Sequence, residues 1–442
     1  MKKVTLFVFI CLLVLLPCIL HAEEYSLADL WQIALERSET IKIAEEELYI
    51  SKVGKQKAAA TLLPTLSAFG DHTRYSEEKN RTGFTLQPKY TNQWGLRLDQ
   101  SFSLSGREMT GYRISRDRIV KSDFDLSAVK GEYLLSIASA YYDALKSKKT
   151  LEIAAANVKR LTKHRDAAGI RLEVGKATRT DLLRAKAELA GAQSELIKAE
   201  NNLRLAKAIL ARTAGITGDY DIREDSRPVD LDSLSAGCEL SAVECLKERT
   251  FAERAEIKAL TMQKNIAEDE VRYAKGLYWP TLSVEGVYLR EENEPSATFS
   301  LDERIYGVLK LDFPFFEGGL RRAEVREAKA KLRQAQYSLQ DLKDSIAVEV
   351  ENYYLDLITQ SGIIAMLKAE VEYSRDNYNA VSKQFKYGLA DSIDVMDANT
   401  LLVTAEKELA NEEYNYYLAF LKLKRATGTL LETVVGENQI DN

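Results

Sequence analysis

Histidine, cysteine and proline are scarce in this 442-residue chain, which holds three, four and seven of them. Beyond residue 22 only His72 and His164 remain, far apart in sequence, and no His/Cys cluster has metal-ligand spacing. There is no glycine-rich phosphate loop and no nucleophile–base set, so neither an enzyme, a metal nor a cofactor is expected. Basic residues do not outnumber acidic ones (61 against 67), which removes the electrostatic reason to bind nucleic acid. After residue 22 no apolar run approaches the ~20 residues of a spanning helix. Any membrane crossing must therefore use β-strands.

The start, "MKKVTLFVFICLLVLLPCILHAEE", has two lysines, an apolar run and a small-residue exit. This is the pattern of a secretory signal peptide over residues 1–22, cleaved after Ala22. The run is short for a membrane anchor. Pro17 stands before Cys18, where a lipidated cysteine needs a small residue. Removing residues 1–22 takes two lysines and no acids, so 61 less 2, or 59, basic residues face 67 acidic ones, a net charge of −8. Cys238 and Cys245 remain, and export permits a disulfide. Seven helical residues would hold them ~10 Å apart, so a bridge needs a chain break between them.

What is present is repetition. "LLPTLSAFG" at 62–70 resembles "YWPTLSVEG" at 278–286, offset by 280 − 64 = 216 at the prolines. Gly106 to Gly175 and Gly319 to Gly388 are both 69 residues apart; Gly175 to Gly215 and Gly388 to Gly428 are both 40. Such self-similarity marks two copies of one plan. The copies span 23–215 and 241–428, joined by an irregular linker over 216–240 and followed by a C-terminal tail over 429–442.

Each copy opens with a helical stretch, 27–60 or 242–275, stopped by Pro64 or Pro280. Alternating segments follow, giving β-hairpins at about 61–105 and 278–316. Each segment is about as long as the ~9–11 residues of a tilted membrane strand. Trp94, Trp279, Tyr288, Tyr306 and Phe315 offer aromatics for interfacial girdles. The proline-free stretches before Gly175 and Gly388 predict helices of about 65 residues, or ~100 Å. The returning helices, from 180 and 393, are about half as long. They carry a heptad: Leu182, Leu189, Leu196, Leu203 and Leu210, with Ala185, Ala192, Ala199 and Ala206 between them. One returning and one opening helix end to end match one long rod.

The fold class is therefore mainly α with a small β part. Four strands cannot close a barrel, and an open edge cannot sit in lipid. Three chains supply 3 × 4 = 12 strands and a ring twelve helices wide. The expected particle is a homotrimer, with a 12-stranded β-barrel continued by a 12-helix α-barrel of coiled-coil helices. A water-soluble periplasmic coiled-coil scaffold is the alternative class.

Signal peptide, doubled helix–hairpin–helix–helix plan, "VGKATRTD", "YGLADSIDVMDA" and "NEEYNYYLAFLKLKRATGTL" together resemble the TolC-like outer-membrane efflux proteins. The resemblance covers essentially the whole mature chain. It implies a passive outer-membrane exit duct for efflux or type I secretion. The implied partners are a periplasmic adaptor (membrane fusion) protein and an inner-membrane pump of RND or ABC type. It implies that Asp394 and Asp397 form carboxylate rings at a periplasmic gate, where crowding raises some pKa values and attracts cations. It also implies adaptor-docking turns at Gly175, Lys176, Ala177 and Thr178 and at Gly388, Leu389, Ala390 and Asp391. Helix capping and glycine C-capping also explain Thr178, Asp181, Asp391, Asp394 and both glycines, but not Asp397, a full turn deeper. The family's gate has a tyrosine and an arginine bracing the aspartate that matches Asp181. Here Phe385 and Ala390 stand at those positions, so the expectation is a brace between Arg184 and Asp397 across the pseudo-symmetry.

Overall fold

The structure, a computed structural model, describes residues 23–224, 242–296 and 301–437. The expected signal peptide, Cys18 and most of the linker lie outside the described residues. Cys245 is disulfide-bonded, and Cys238 also lies outside them.

A short strand β1 (Glu23–Tyr25) leads into helices α1 (Leu27–Arg37) and α2 (Glu39–Ala60). Strands β2 (Thr65–Arg74), β3 (Lys79–Arg81), β4 (Phe84–Gln87) and β5 (Tyr90–Ser103) follow. Helix α3 (Arg107–Glu173) is 67 residues long, ~100 Å, and α4 (Arg179–Ala214) returns over 36. Strand β6 (Tyr220–Ile222) pairs in parallel with β1. The order then recurs with helices α5 (Ala242–Glu253) and α6 (Ala255–Lys275) and strands β7 (Thr281–Glu294) and β8 (Glu303–Asp312). Helices α7 (Leu320–Tyr387, 68 residues), α8 (Ser392–Ala426) and α9 (Leu430–Glu437) complete it.

Two sequence expectations change. Each opening helix is broken in two. Ser38 adopts φ −63°, ψ 125° and caps α2 with its side chain; Arg254 adopts φ −64°, ψ 126° at the matching place. The polar loop after β2 also folds on itself as the small β3–β4 ladder.

The four long strands form one antiparallel sheet in the order β2-β5-β7-β8, with an unbroken register. Paired residues share a face, and side chains alternate along each strand. One face carries Leu66, Trp94, Leu96, Leu98, Val284, Tyr288, Ile305, Leu309 and Leu311, most of them exposed. The other carries Arg97 paired with Glu285, Arg304 paired with Glu291, and Ser101 bonded to Ser283 at 2.9 Å. Tyr306 falls on this polar face with Arg97, which removes it from the expected girdle. Its even number misleads, because β8 runs in register with Val287 there.

Below the sheet the helices pack side by side. α3 takes α2 and α4 on one flank and α6 and α8 on the other, and α7 packs on α6 and α8. The heptad alanines Ala185, Ala192 and Ala199 are buried in this packing, which lets the backbones approach. The largest core lies near mid-height, around Leu30, Trp31, Leu134, Tyr141, Leu210 and Tyr414. Trp31 donates its indole N–H to the Leu134 carbonyl at 2.9 Å, satisfying its one polar atom inside that core.

Candidate functional site at the helix tips

The sequence reading assigned roles at two turns far from the sheet. The first is short because Gly175 ends α3 in the left-handed region, φ 71°. Thr178 then caps α4. The Asp181 amide donates to Thr178 Oγ1 at 3.2 Å, and Asp181 Oδ2 accepts from the Thr178 amide (2.9 Å) and hydroxyl (2.7 Å). Gly388, φ 84°, ends α7 in the same way, and Asp394 Oδ2 accepts from the Asp391 amide at 2.8 Å. Both turns are thus fixed by backbone geometry before any other role is considered.

The structure brings the two turns together. Phe385 is only 3% exposed and packs with Ala168, Ala185 and Val395, one residue from each of the four helices. Arg171 lies across it. Arg171 Nη1 donates to the Phe385 carbonyl at 2.7 Å and Nη2 to the Lys176 carbonyl at 3.0 Å. Its guanidinium sits 4.4 Å from the Phe385 ring centroid, a cation–π distance. His164 is buried on α3, its ring 4.8 Å from that of Phe385 and its Nε2 2.9 Å from Ser392 Oγ. Burial pushes the His164 imidazole below its ordinary pKa, against the pull of Asp181.

Higher along the same helices a second polar group ties the copies together. Arg160 donates to Asn399 Oδ1 at 3.1 Å and to Glu406 at 3.2 Å; Asn399 reaches Asn157 at 2.8 Å, and Arg375 also pairs with Glu406. Neither Arg171 nor this network was found from the sequence. The one available signal was positional: Arg171 stands four residues before Gly175, facing the last turn of its own helix.

Arg184 and Asp397 are both exposed, and within the chain they form no ion pair among the described residues. Arg184 instead lies near Asp181, three residues earlier, and helps hold that carboxyl below its ordinary pKa. The hydrogen bonds from Thr178 are the largest cause of that depression, and Arg171 adds to it. A depressed carboxyl stabilises the fold above its unfolded value near pH 3.9, and that contribution is lost as pH falls through the lower folded value. Removing the cap with Thr178→Ala should cost about 1 kcal/mol locally. Amide exchange in the first turn of α4 should then quicken roughly fivefold while the first turn of α8 is unchanged. Equal protection in both proteins would show the cap to be idle.

The architecture defines a class: a membrane-suited sheet of four strands set on long helical hairpins. The sequence profile of the outer membrane efflux protein family, OEP, matches residues 30–216 and 246–429, and the chain belongs to that family. Outer membrane protein TolC of Vibrio cholerae is 24% identical over 318 residues, 71% of each chain. The alkaline protease secretion protein AprF of Pseudomonas aeruginosa is 23% identical over 420 residues, 92% of this chain and 85% of AprF. The structure of CusC, a protein that forms a transmembrane channel, superposes with a TM-score of 0.81 at 16% identity, covering 92% of this chain and 93% of CusC. That likeness is one of fold. The protein is an outer-membrane efflux duct component.

Proposed function

We propose that three copies of the chain close into a 12-stranded barrel continued by a 12-helix tube, a passive conduit from periplasm to exterior. The observation that carries this is the pair of unpaired sheet edges, β2 and β8, each ten residues long and antiparallel to one another in the strand order. Edge β8 of one copy pairs with β2 of the next in the correct sense. Lipid cannot satisfy an open edge. Two copies would give eight strands, whose interior side chains fill. Three leave a lumen.

The helices also call for neighbouring copies. Their two open flanks are α2 with α4 on one side and α7 on the other. Both carry exposed apolar residues: Ile43, Ile50, Ile197 and Leu205 on the first, Val348, Leu355, Met366 and Tyr373 on the second. A neighbouring copy covers each flank with the other. The apolar sheet face meets outer-membrane lipid, and the Arg97–Glu285 face lines the lumen.

The tips point into the periplasm and receive the adaptor and pump. Tyr387 is 82% and Leu389 78% exposed there, free for a partner. Asp394 and Asp397 of three copies place six carboxylates around the entrance and favour cations. In planar bilayers the purified protein should form discrete channels, and Asp394→Asn with Asp397→Asn should reduce its preference for cations over anions. Extraction as a water-soluble monomer without detergent would overturn the conduit.

A further inference from the structure

We propose that Arg171 is the positioning residue that holds the two tips of one chain together, acting through backbone carbonyls and a ring face rather than through a carboxylate. This rests on the conduit reading above.

Three contacts carry it. The Phe385 carbonyl belongs to the last turn of α7, where it accepts from the Gly388 amide at 3.1 Å and offers its second lone pair to Arg171, at the helix end whose dipole favours a cation. The Lys176 carbonyl belongs to the other turn, so one rigid fork of donors spans both tips. The ring of Phe385 fills the space under the guanidinium and is itself backed by His164. Phenylalanine thus suits position 385, because the site needs a carbonyl and a π-face and no hydroxyl. Asp181 lies close enough to be felt by Arg171, but its oxygens accept from Thr178. The fastening therefore does not run through the carboxylate. Lysine, a point charge, cannot reproduce the fork.

The test is a double-mutant cycle read as the ratio of open to closed time of single channels. Arg171→Ala should raise that ratio roughly tenfold, the equivalent of about 1.4 kcal/mol, in both the native and the Asp181→Asn background. Arg171→Lys should fall between Ala and the native protein, with trimer abundance unchanged in each. An unchanged ratio in assembled Arg171→Ala channels overturns the proposal, and so does an effect that vanishes in the Asp181→Asn background. Should Arg171→Ala fail to assemble, Arg171→Gln serves, with spin labels at Lys176→Cys and Leu389→Cys of one chain. The distance between the labels should lengthen and broaden, and an unaltered distribution refutes the fastening. A native protein silent in bilayers would sink the conduit reading instead, leaving the distance measurement to judge Arg171.

Discussion

Gly95→Ala should abolish the trimers proposed above. Gly95 lies in β5 between Phe69 of β2 and Leu289 of β7. A Cβ built there comes 2.1 Å from the Tyr288 carbonyl oxygen and 2.9 Å from the Phe69 ring. The ring could swing aside; the carbonyl is backbone and cannot without parting β5 from β7. Among the described residues that ladder is the only one within the chain joining the first pair of long strands to the second. Its loss would open the proposed barrel at that ladder in every copy, and lipid cannot satisfy the open edges. Gly70→Ala is the matched control, since its Cβ meets nothing nearer than 3.8 Å. The expected result is a normal yield of SDS-resistant trimer for Gly70→Ala and none for Gly95→Ala on unheated gels of outer-membrane fractions. Equal trimer bands from both would show that the two strands tolerate separation.

The second large effect is expected from Arg254→Ala. Arg254, 5% exposed, stands at the break between α5 and α6. It donates to Glu349 at 2.6 Å and to the Ala426 carbonyl at 3.3 Å, and pairs with Glu256. Arg425 completes the group by bonding Glu256 at 2.7 Å and Glu132 at 2.9 Å. Removing Arg254 takes the near partner from Glu349 and a donor from the Ala426 carbonyl, and leaves Glu256 to Arg425 alone; a buried ion pair broken on one side costs about 3–5 kcal/mol, and the surviving Arg425 contact holds the loss toward the lower value. Burial alone would raise Glu256, and Arg425 and Arg254 overcome it, so its folded pKa is depressed. In the native protein that stabilisation is present above the unfolded value near pH 4.3 and fades as pH falls. Without Arg254 burial weighs more, Glu256 binds its proton more readily when folded, and acid relieves the variant. Its deficit in thermal denaturation should accordingly be largest near pH 7 and narrow toward pH 4. A deficit independent of pH would assign the loss to packing alone.

Much of the helical and strand plan could be read directly. Gly175 and Gly388 end their helices because a left-handed residue is a local requirement, visible wherever glycine follows an unbroken helical pattern. Thr178 with Asp181 is a capping box for the same reason. The two-residue alternation of β5 and β7 announced a sheet with unlike faces. The breaks at Ser38 and Arg254 were not visible, because neither residue is a helix breaker by itself. Arg254 is drawn out of the helix by Glu349 and Ala426, some 95 and 172 residues away. Within one chain Arg184 and Asp397 are exposed and form no ion pair among the described residues, because sign alone does not bring two exposed side chains together.

The sequence by itself determined the two long helices, the turns that end them and the alternating strands, since each depends on neighbours within a few residues. Only the tertiary structure decided that Phe385 would be buried between His164 and Arg171, and that Tyr306 would face the polar side. Phe385 is more than 200 residues from Arg171 and His164, and the face that Tyr306 takes follows from the β7–β8 register; both are set by how whole helices and strands dock.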